Sequence, residues 1–527
     1  MGRTGLPECG LVLVALLACC ACCARGQPPA PPPEAAPLPG ALPLPPAALT
    51  PNSTSGGPPA AAAAEQQAAD VIVVGAGIAG LAAAKELAAS GLRVVVLEAR
   101  NRTGGRLHSV PTAAGGRVDL GAMWAHGWNE SHPLRPLISA LGLNVSRKQN
   151  YNSGAIFQPG GGRSSFLSYA QVQRGWTNVL EANITRMRAA ASAAAAAASA
   201  APAGAGAAPP RDVPVLEPYL AWLEGAWLSP NATRQANLLL HTRMQVLLNA
   251  NASELSALRY GDAKTLPAED VLIEGGMDAL TDDLARGLDV RLGTVVTNIS
   301  HDASGVRAAA AGGAAFAAPF AVVTLPLGVL KEPSTVVFDP PLPAAKRSAG
   351  MGVLDKVVMV WPEPWWPKNA DFISREMPDL SGEWCVFLNY YATLRLPVLV
   401  ALHAADTARG LEARGDAEVL EGAMEALRGI GGPGVPPPSQ SFVTRWAADP
   451  FARGSYSFYA VGNPRDIVDA LGDPVGRLHF AGEATSRHPA TAHGAYESGL
   501  REARRVLAAR ASEAGGAAAA PPAGTAG

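Results

Sequence analysis

Apolar and polar positions along this chain follow two distinct periods. Val71 to Val74 is an unbroken apolar run of strand length, and Leu81 to Leu87 continues at helical spacing, which predicts a strand, a tight turn and a helix. Arg93 to Leu97 reads as the next strand, ended by Glu98. Pro214 to Leu258 is helix-rich and amphipathic, with Leu238, Leu239, Val246, Leu247 and Leu248 forming an apolar face. Short strands return over Leu288 to Ile299 and Ala321 to Leu325. Lys356 alternates with apolar neighbours in GVLDKVVMVW, so a further strand is predicted with this lysine pointing inward. A buried lysine needs a reason.

The first turn carries candidate chemistry. Gly75, Gly77 and Gly80 form G-x-G-x-x-G between strand and helix. Such glycines let the backbone turn sharply and approach a pyrophosphate, whose charge then lies against unpaired amides at the helix N-terminus. A glycine-rich turn also joins strands to helices for structural reasons alone, but Glu98 stands where a carboxylate accepts hydrogen bonds from an unphosphorylated ribose. The pattern points to an adenine dinucleotide and leaves NAD and FAD undecided.

Further blocks resemble the flavin-containing amine oxidase family, which includes polyamine and spermine oxidases and lysine-specific histone demethylases. They are LEARNRTGGR from Leu97, VDLGAMWAHG from Val118, TLPLGVLKEP from Thr324, MGVLDKVVMVW from Met351, WAADPFARGSYSF from Trp446 and FAGEATSRHPATAHGAYESGLREA from Phe480. The resemblance spans roughly Asp70 to Arg510 and implies FAD held non-covalently, since no cysteine follows Cys385. It implies that Arg100 and Arg106 contact the phosphates. Gly121, Ala122, Met123 and Trp124 would run under the isoalloxazine ring, and Val296 would meet the adenine through its backbone. Trp446 would pack on the flavin, while Gly482, Glu483, Thr491 and Ala492 would complete the site at the C-terminal motif. Lys356 would hold a water near the flavin, and His126 would meet a distal amine of the substrate. His493 is read as structural. Thr491 stands where some plant polyamine oxidases have tyrosine, and Leu354 replaces an aromatic of some relatives, which leaves the preferred amine open.

Amine oxidation sets its own demands. The carbon beside nitrogen releases a hydride equivalent only when the nitrogen lone pair is free, and neutralising an aliphatic amine near neutral pH costs about 4 kcal/mol. An apolar, aromatic-walled channel lowers that cost by desolvation. Trp124, Tyr456 and Phe458 are the candidate walls, against ordinary core packing as the simpler role. The expected reaction is oxidation of polyamines, free or acetylated, with O2 reduced to H2O2; a histone demethylase-like or other amine oxidase is the alternative.

Composition is compatible with a sizeable enzyme: 527 residues, 48% hydrophobic, formal charge −2. No basic run suggests nucleic-acid binding, and no metal is expected. Arg3 precedes an apolar stretch from Leu11 to Ala24 that would span only about 21 Å as a helix, too short for a hydrocarbon core of about 30 Å. A signal peptide over residues 1–24 is predicted, with lipid-anchored and organelle-targeted alternatives. Asn52, Asn101, Asn129, Asn144, Asn183, Asn231, Asn251 and Asn298 form N-x-S/T sequons, more than the one or two roughly expected by chance, which favours export and an extracellular or cell-wall location.

The expected fold is α/β, a discontinuous Rossmann-like FAD-binding domain (70–124, 269–330 and 471–509) with a mixed α+β substrate domain (125–268 and 331–470). A Pro/Ala-rich linker over 25–69, a low-complexity insertion over 188–210 and a disordered tail over 510–527 complete the division.

Overall fold

Val71–Val74 forms the middle of a five-stranded, wholly parallel sheet in the order Leu478–Phe480, Phe320–Val323, Val71–Val74, Val94–Leu97, Asp289–Arg291. The computed structural model describes residues 67–164, 166–200 and 211–519. The predicted signal peptide, the linker before residue 67, residues 201–210 of the insertion and residues 520–527 of the tail lie outside the described residues.

All four residues of the middle strand are buried, because both faces of the sheet are covered. Val71 and Val73 face a helical layer built from Ile78–Ala89, Asp278–Ala285 and Ala492–Ala519. Ile72 and Val74 face a second sheet that contains Val296–His301, Val306–Ala310 and Ala315–Ala318. The helices cross closely: a Cβ on Gly499 would come 2.1 Å from the Ala79 carbonyl oxygen, so only glycine permits the approach.

The other large element is a six-stranded sheet in the order Gln440–Val443, Leu354–Val360, Val398–Ala404, Val386–Asn389, Phe372–Arg375, Gly154–Phe157. Val357 and Met359 face the helix Asp416–Gly431. Leu354, Val358 and Val360 face Val118 and Met123 on the opposite side. Lys356 has the parity of this second set, and its whole strand is buried. Beyond it, Leu216–Ala226 and Pro230–Leu240 pack with Trp176, Leu180 and Ile184 into a separate apolar cluster, and Pro230–Leu240 passes into a π-helical turn, His241–Gln245.

Three features depart from the sequence reading. A two-residue strand, Gln67–Ala68, occupies the end of the expected linker and pairs with Phe316 and Ala317. The alanine-rich stretch around Gly312 and Gly313 forms an antiparallel hairpin; alanine's weak strand preference hides it. The last helix continues to Ala519, into the expected tail, where Arg477 pairs with Glu513 and Arg510 with Asp70. Among the described residues no helix is long and apolar enough to cross a membrane, and no cluster of potential metal ligands occurs.

Candidate active site

A cavity of about 1120 Å³ opens at the carboxyl ends of the parallel strands and continues beneath the six-stranded sheet. At its nucleotide end Gly75 has φ +104°, and a Cβ there would meet Thr324 Oγ1 at 2.6 Å. A Cβ on Gly80 would meet the Gly75 carbonyl oxygen at 2.0 Å. The nearest atom to a Cβ on Gly77 would be Gly104 O, 3.9 Å away, so bare backbone faces the cavity there. Gly77 is also the N-cap of Ile78–Ala89, and no side chain caps that helix, which leaves its first-turn amides for an anion. Glu98 is buried; Oε2 accepts from Ala76 N at 2.7 Å and Oε1 from Arg100 N at 2.9 Å, which ties the second strand to the glycine turn.

The predicted phosphate arginines each have a carboxylate partner. Arg100 Nη2 bonds Asp449 at 2.7 Å, and Arg106 Nη1 bonds Glu483 Oε1 at 2.9 Å and Ser455 O at 2.7 Å. Glu483 also accepts from Ser457 Oγ and Ala490 N, so it fixes three chain segments at once. Val296 and Gly482, the latter at φ +128°, line the same end.

In the middle of the cavity the Leu97–Arg106 and Val118–Gly127 motifs lie against each other. A Cβ on Gly121 would fall 1.8 Å from the Arg106 carbonyl oxygen, and Ala122 N donates to that oxygen at 3.0 Å. Lys356 Nζ donates to Asp119 O at 2.8 Å and to Gly121 O, which uses two of its three protons. Trp446 Nε1 donates to Leu120 O at 3.2 Å, and its amide donates to Asp355 at 3.0 Å. Residues 119–121 are thus gripped from two sides. Burial pushes the Lys356 ammonium below its usual range, an effect the Asp119 carboxylate partly offsets. Burial in turn raises the Asp119 carboxyl, against hydrogen bonds from Met277 N and Ser109 Oγ. Met123 packs against Tyr390.

The far end is aromatic. Trp124 lies 5.8 Å from His126 and 6.4 Å from Tyr151, which stacks on Phe372 at 5.5 Å. His126 Nδ1 is 2.8 Å from Asp270 Oδ2; Tyr151 OH and Gly127 N also donate to that carboxylate. Burial alone would raise the Asp270 carboxyl, but hydrogen bonds from His126 and Tyr151 outweigh it and hold it low. Tyr456 and Phe458 also line the cavity, the Tyr456 hydroxyl donating to Val246 O at 3.0 Å. Thr491 Oγ1 is engaged locally, donating to His488 O and accepting from Gly494 N; Ala492 follows it along the wall. His493 packs beside His132 and His488, its pKa lowered to about 3 chiefly by burial.

Asp270, Tyr151, Asp119 and Ser457 were not among the residues singled out from the sequence. Asp270 and Tyr151 sit in polar, aperiodic stretches; the one available signal was the acid's place just before the apolar VLI of Val271 to Ile273.

A sequence profile of flavin containing amine oxidoreductases matches residues 78–507. The chain belongs to this family. Its amine oxidoreductase relatives include polyamine oxidase 2 of Arabidopsis thaliana, 33% identical over 449 residues, 82% of this chain and 86% of the relative. Lysine-specific histone demethylase 1 homolog 1 of the same plant is 33% identical over 459 residues, 83% of this chain but 52% of that longer protein. A solved putrescine oxidase with putrescine bound shares the fold at a TM-score of 0.65 and 23% identity, covering 84% of this chain and 100% of that one. This amine oxidoreductase is therefore an FAD enzyme of α/β fold, and the bare glycine turn, the uncapped helix and Glu98 suit the cofactor's diphosphate and ribose.

Proposed function

We propose that this amine oxidoreductase oxidises polyamines, free or acetylated, to an aminoaldehyde and a shorter amine. Bound FAD supplies uptake of a hydride equivalent from the carbon beside nitrogen and delivery of two electrons to O2, giving H2O2. The imine left on the substrate adds water and breaks its carbon–nitrogen bond, releasing aldehyde and amine.

The observation that carries this reading is the aromatic lining of the cavity, in which Trp124 and Tyr151 lie together and Tyr456, Phe458 and Lys356 also contribute to the wall. Rings exclude water and disfavour charge on nitrogen, so the reacting amine is held neutral. Lys356, clamped on Asp119 O and Gly121 O, has one proton left for a water at the reacting centre. Asp270 orients His126, which bonds a second nitrogen of the substrate. The 86% coverage of polyamine oxidase 2 supports a small-amine substrate, whereas the chain matches only about half of the demethylase relatives.

Anaerobic mixing with spermine, monoacetylspermine, spermidine, a monoamine, an amino acid and a dimethyl-lysine peptide tests the proposal. Bleaching of the flavin band by polyamines is the expected result; bleaching by the peptide alone would replace this reading with demethylation.

We also propose passage through the secretory pathway. The apolar leader and the eight sequons support it, with Asn144 and Asn231 on exposed surface. A drop in apparent mass on endoglycosidase treatment of the native protein is expected; an unchanged mass would remove the glycan argument.

A further inference from the structure

The charge on the cavity wall narrows the substrate. Three carboxylates line the cavity among the described residues: Glu98, Glu483 and Asp270. Glu98 is used by backbone amides and Glu483 by Arg106. Asp270 alone lies at the aromatic end, and it already serves His126, Tyr151 and Gly127. No unengaged carboxylate waits there for an ammonium group.

Positive charge is in surplus on the same wall. Arg163, Arg243, Arg259 and Lys264 line it. Arg259 is paired with Asp262. Arg163 is exposed over the Phe157 ring, and Lys264 is exposed. Arg243 differs from them: it is half-buried, lies on the π-helical turn His241–Gln245 and forms no ion pair among the described residues. Its guanidinium donates to the neutral Asn152 Oδ1 at 3.2 Å, and its charge acts on the Tyr151 and Tyr260 hydroxyls. Every other arginine at the nucleotide and central parts of the cavity, Arg100 and Arg106, has a carboxylate. A partly desolvated guanidinium without a counter-charge in a cavity wall has donors left for an oxygen on a ligand. π-turns of this kind occur often at functional sites.

We propose that Arg243 determines specificity by donating hydrogen bonds to a carbonyl or carboxylate oxygen at the far end of the substrate, and that it repels a second ammonium group placed there. The preferred substrate is then an amine whose distal end is acylated or carboxylated, in place of a fully cationic polyamine. This rests on amine oxidation in the same cavity.

The test compares kcat/KM for spermine, monoacetylspermine and a carboxyl-terminated analogue of spermidine in the FAD-loaded enzyme and its Arg243→Gln and Arg243→Lys variants. Arg243→Gln is expected to lower the value for at least one oxygen-bearing substrate by about 10- to 100-fold, the loss of a charge-assisted hydrogen bond, while that for spermine holds or rises. A fall confined to the acetylated amine identifies an acyl oxygen, and one confined to the analogue identifies a carboxylate. Arg243→Lys, which keeps the charge, is expected to retain discrimination against spermine. An equal change for all three substrates in both variants, with flavin content unaltered, overturns the proposal. Failure of every amine to bleach the unsubstituted enzyme's flavin would instead remove the amine-oxidation reading beneath it.

Discussion

Arg106 Nη1 lies 2.9 Å from Glu483 Oε1, an ion pair between residues 377 positions apart. Glu483 is nearly buried and Arg106 is largely so. Removing one partner of such a pair leaves an uncompensated charge at a cost of about 3–5 kcal/mol. Glu483→Ala is therefore expected to lower the melting temperature and to yield protein largely free of flavin. Retention of wild-type absorbance near the flavin bands, with an unchanged melting curve, would show that the pair is dispensable.

The glycine turn makes a second prediction. Gly80→Ala places a methyl 2.0 Å from the Gly75 carbonyl oxygen, so the turn must open. Glu98→Ala leaves the Ala76 amide without its acceptor in a buried position, at about 1–3 kcal/mol. Both variants are expected to bind FAD at least about tenfold more weakly, measured by quenching of flavin fluorescence on titration of the apoprotein.

Lys356→Met is expected to leave flavin bound and to slow turnover strongly, because the clamp on Asp119 O and Gly121 O and the remaining proton donor vanish together. Burial lowers the pKa of this lysine from 10.5, so its neutral form grows in as pH rises through a value below that. The wild-type kcat profile should carry an ionisation on this alkaline side that is missing in Lys356→Met. Identical profiles in the two proteins would take Lys356 out of the rate-limiting step.

Buried histidines set the acid limit of the fold. His132 and His241 have pKa values lowered to about 4, and His403 and His493 to about 3, in each case mainly by burial. Below pH 6.5 the unfolded chain takes up protons that these folded sites refuse. Stability present above that pH is therefore lost as pH falls toward 4, by up to about 1.4 kcal/mol per unit for each residue. Calorimetry across this window should show a steadily falling melting temperature, and His403→Gln should flatten part of the slope. A melting temperature constant from pH 6.5 to 4 would contradict the assignment.

Much of this was legible in the sequence where local pattern and tertiary environment agree. Val71–Val74 is apolar on every residue because both faces of its sheet are covered, and the turn after it is glycine-rich because Gly75 and Gly80 have no room for a Cβ. Lys356 announced itself, next to Asp355, as a charge set among the apolar neighbours of GVLDKVVMVW. Asp270 and Tyr151 gave no such signal. Their position depends on two loops meeting over Trp124, and a contact of that kind has no periodicity along the chain. The hairpin beyond Val306 was hidden by alanine, whose presence in strands is decided by the partner strand and not by preference. The engagement of Thr491 with its own helix start likewise appears only once the helix is placed.

The edge strand Leu478–Phe480 joins the parallel sheet beside Phe320–Val323, and Gly499 lets the last long helix press on Ala79. The pocket for the nucleotide is consequently finished by a strand and a helix that lie far along the chain from the glycine turn. A chain cut before Leu478 keeps its glycine turn and loses the strand and helix that close over it, so capture of the cofactor requires both stretches in one molecule.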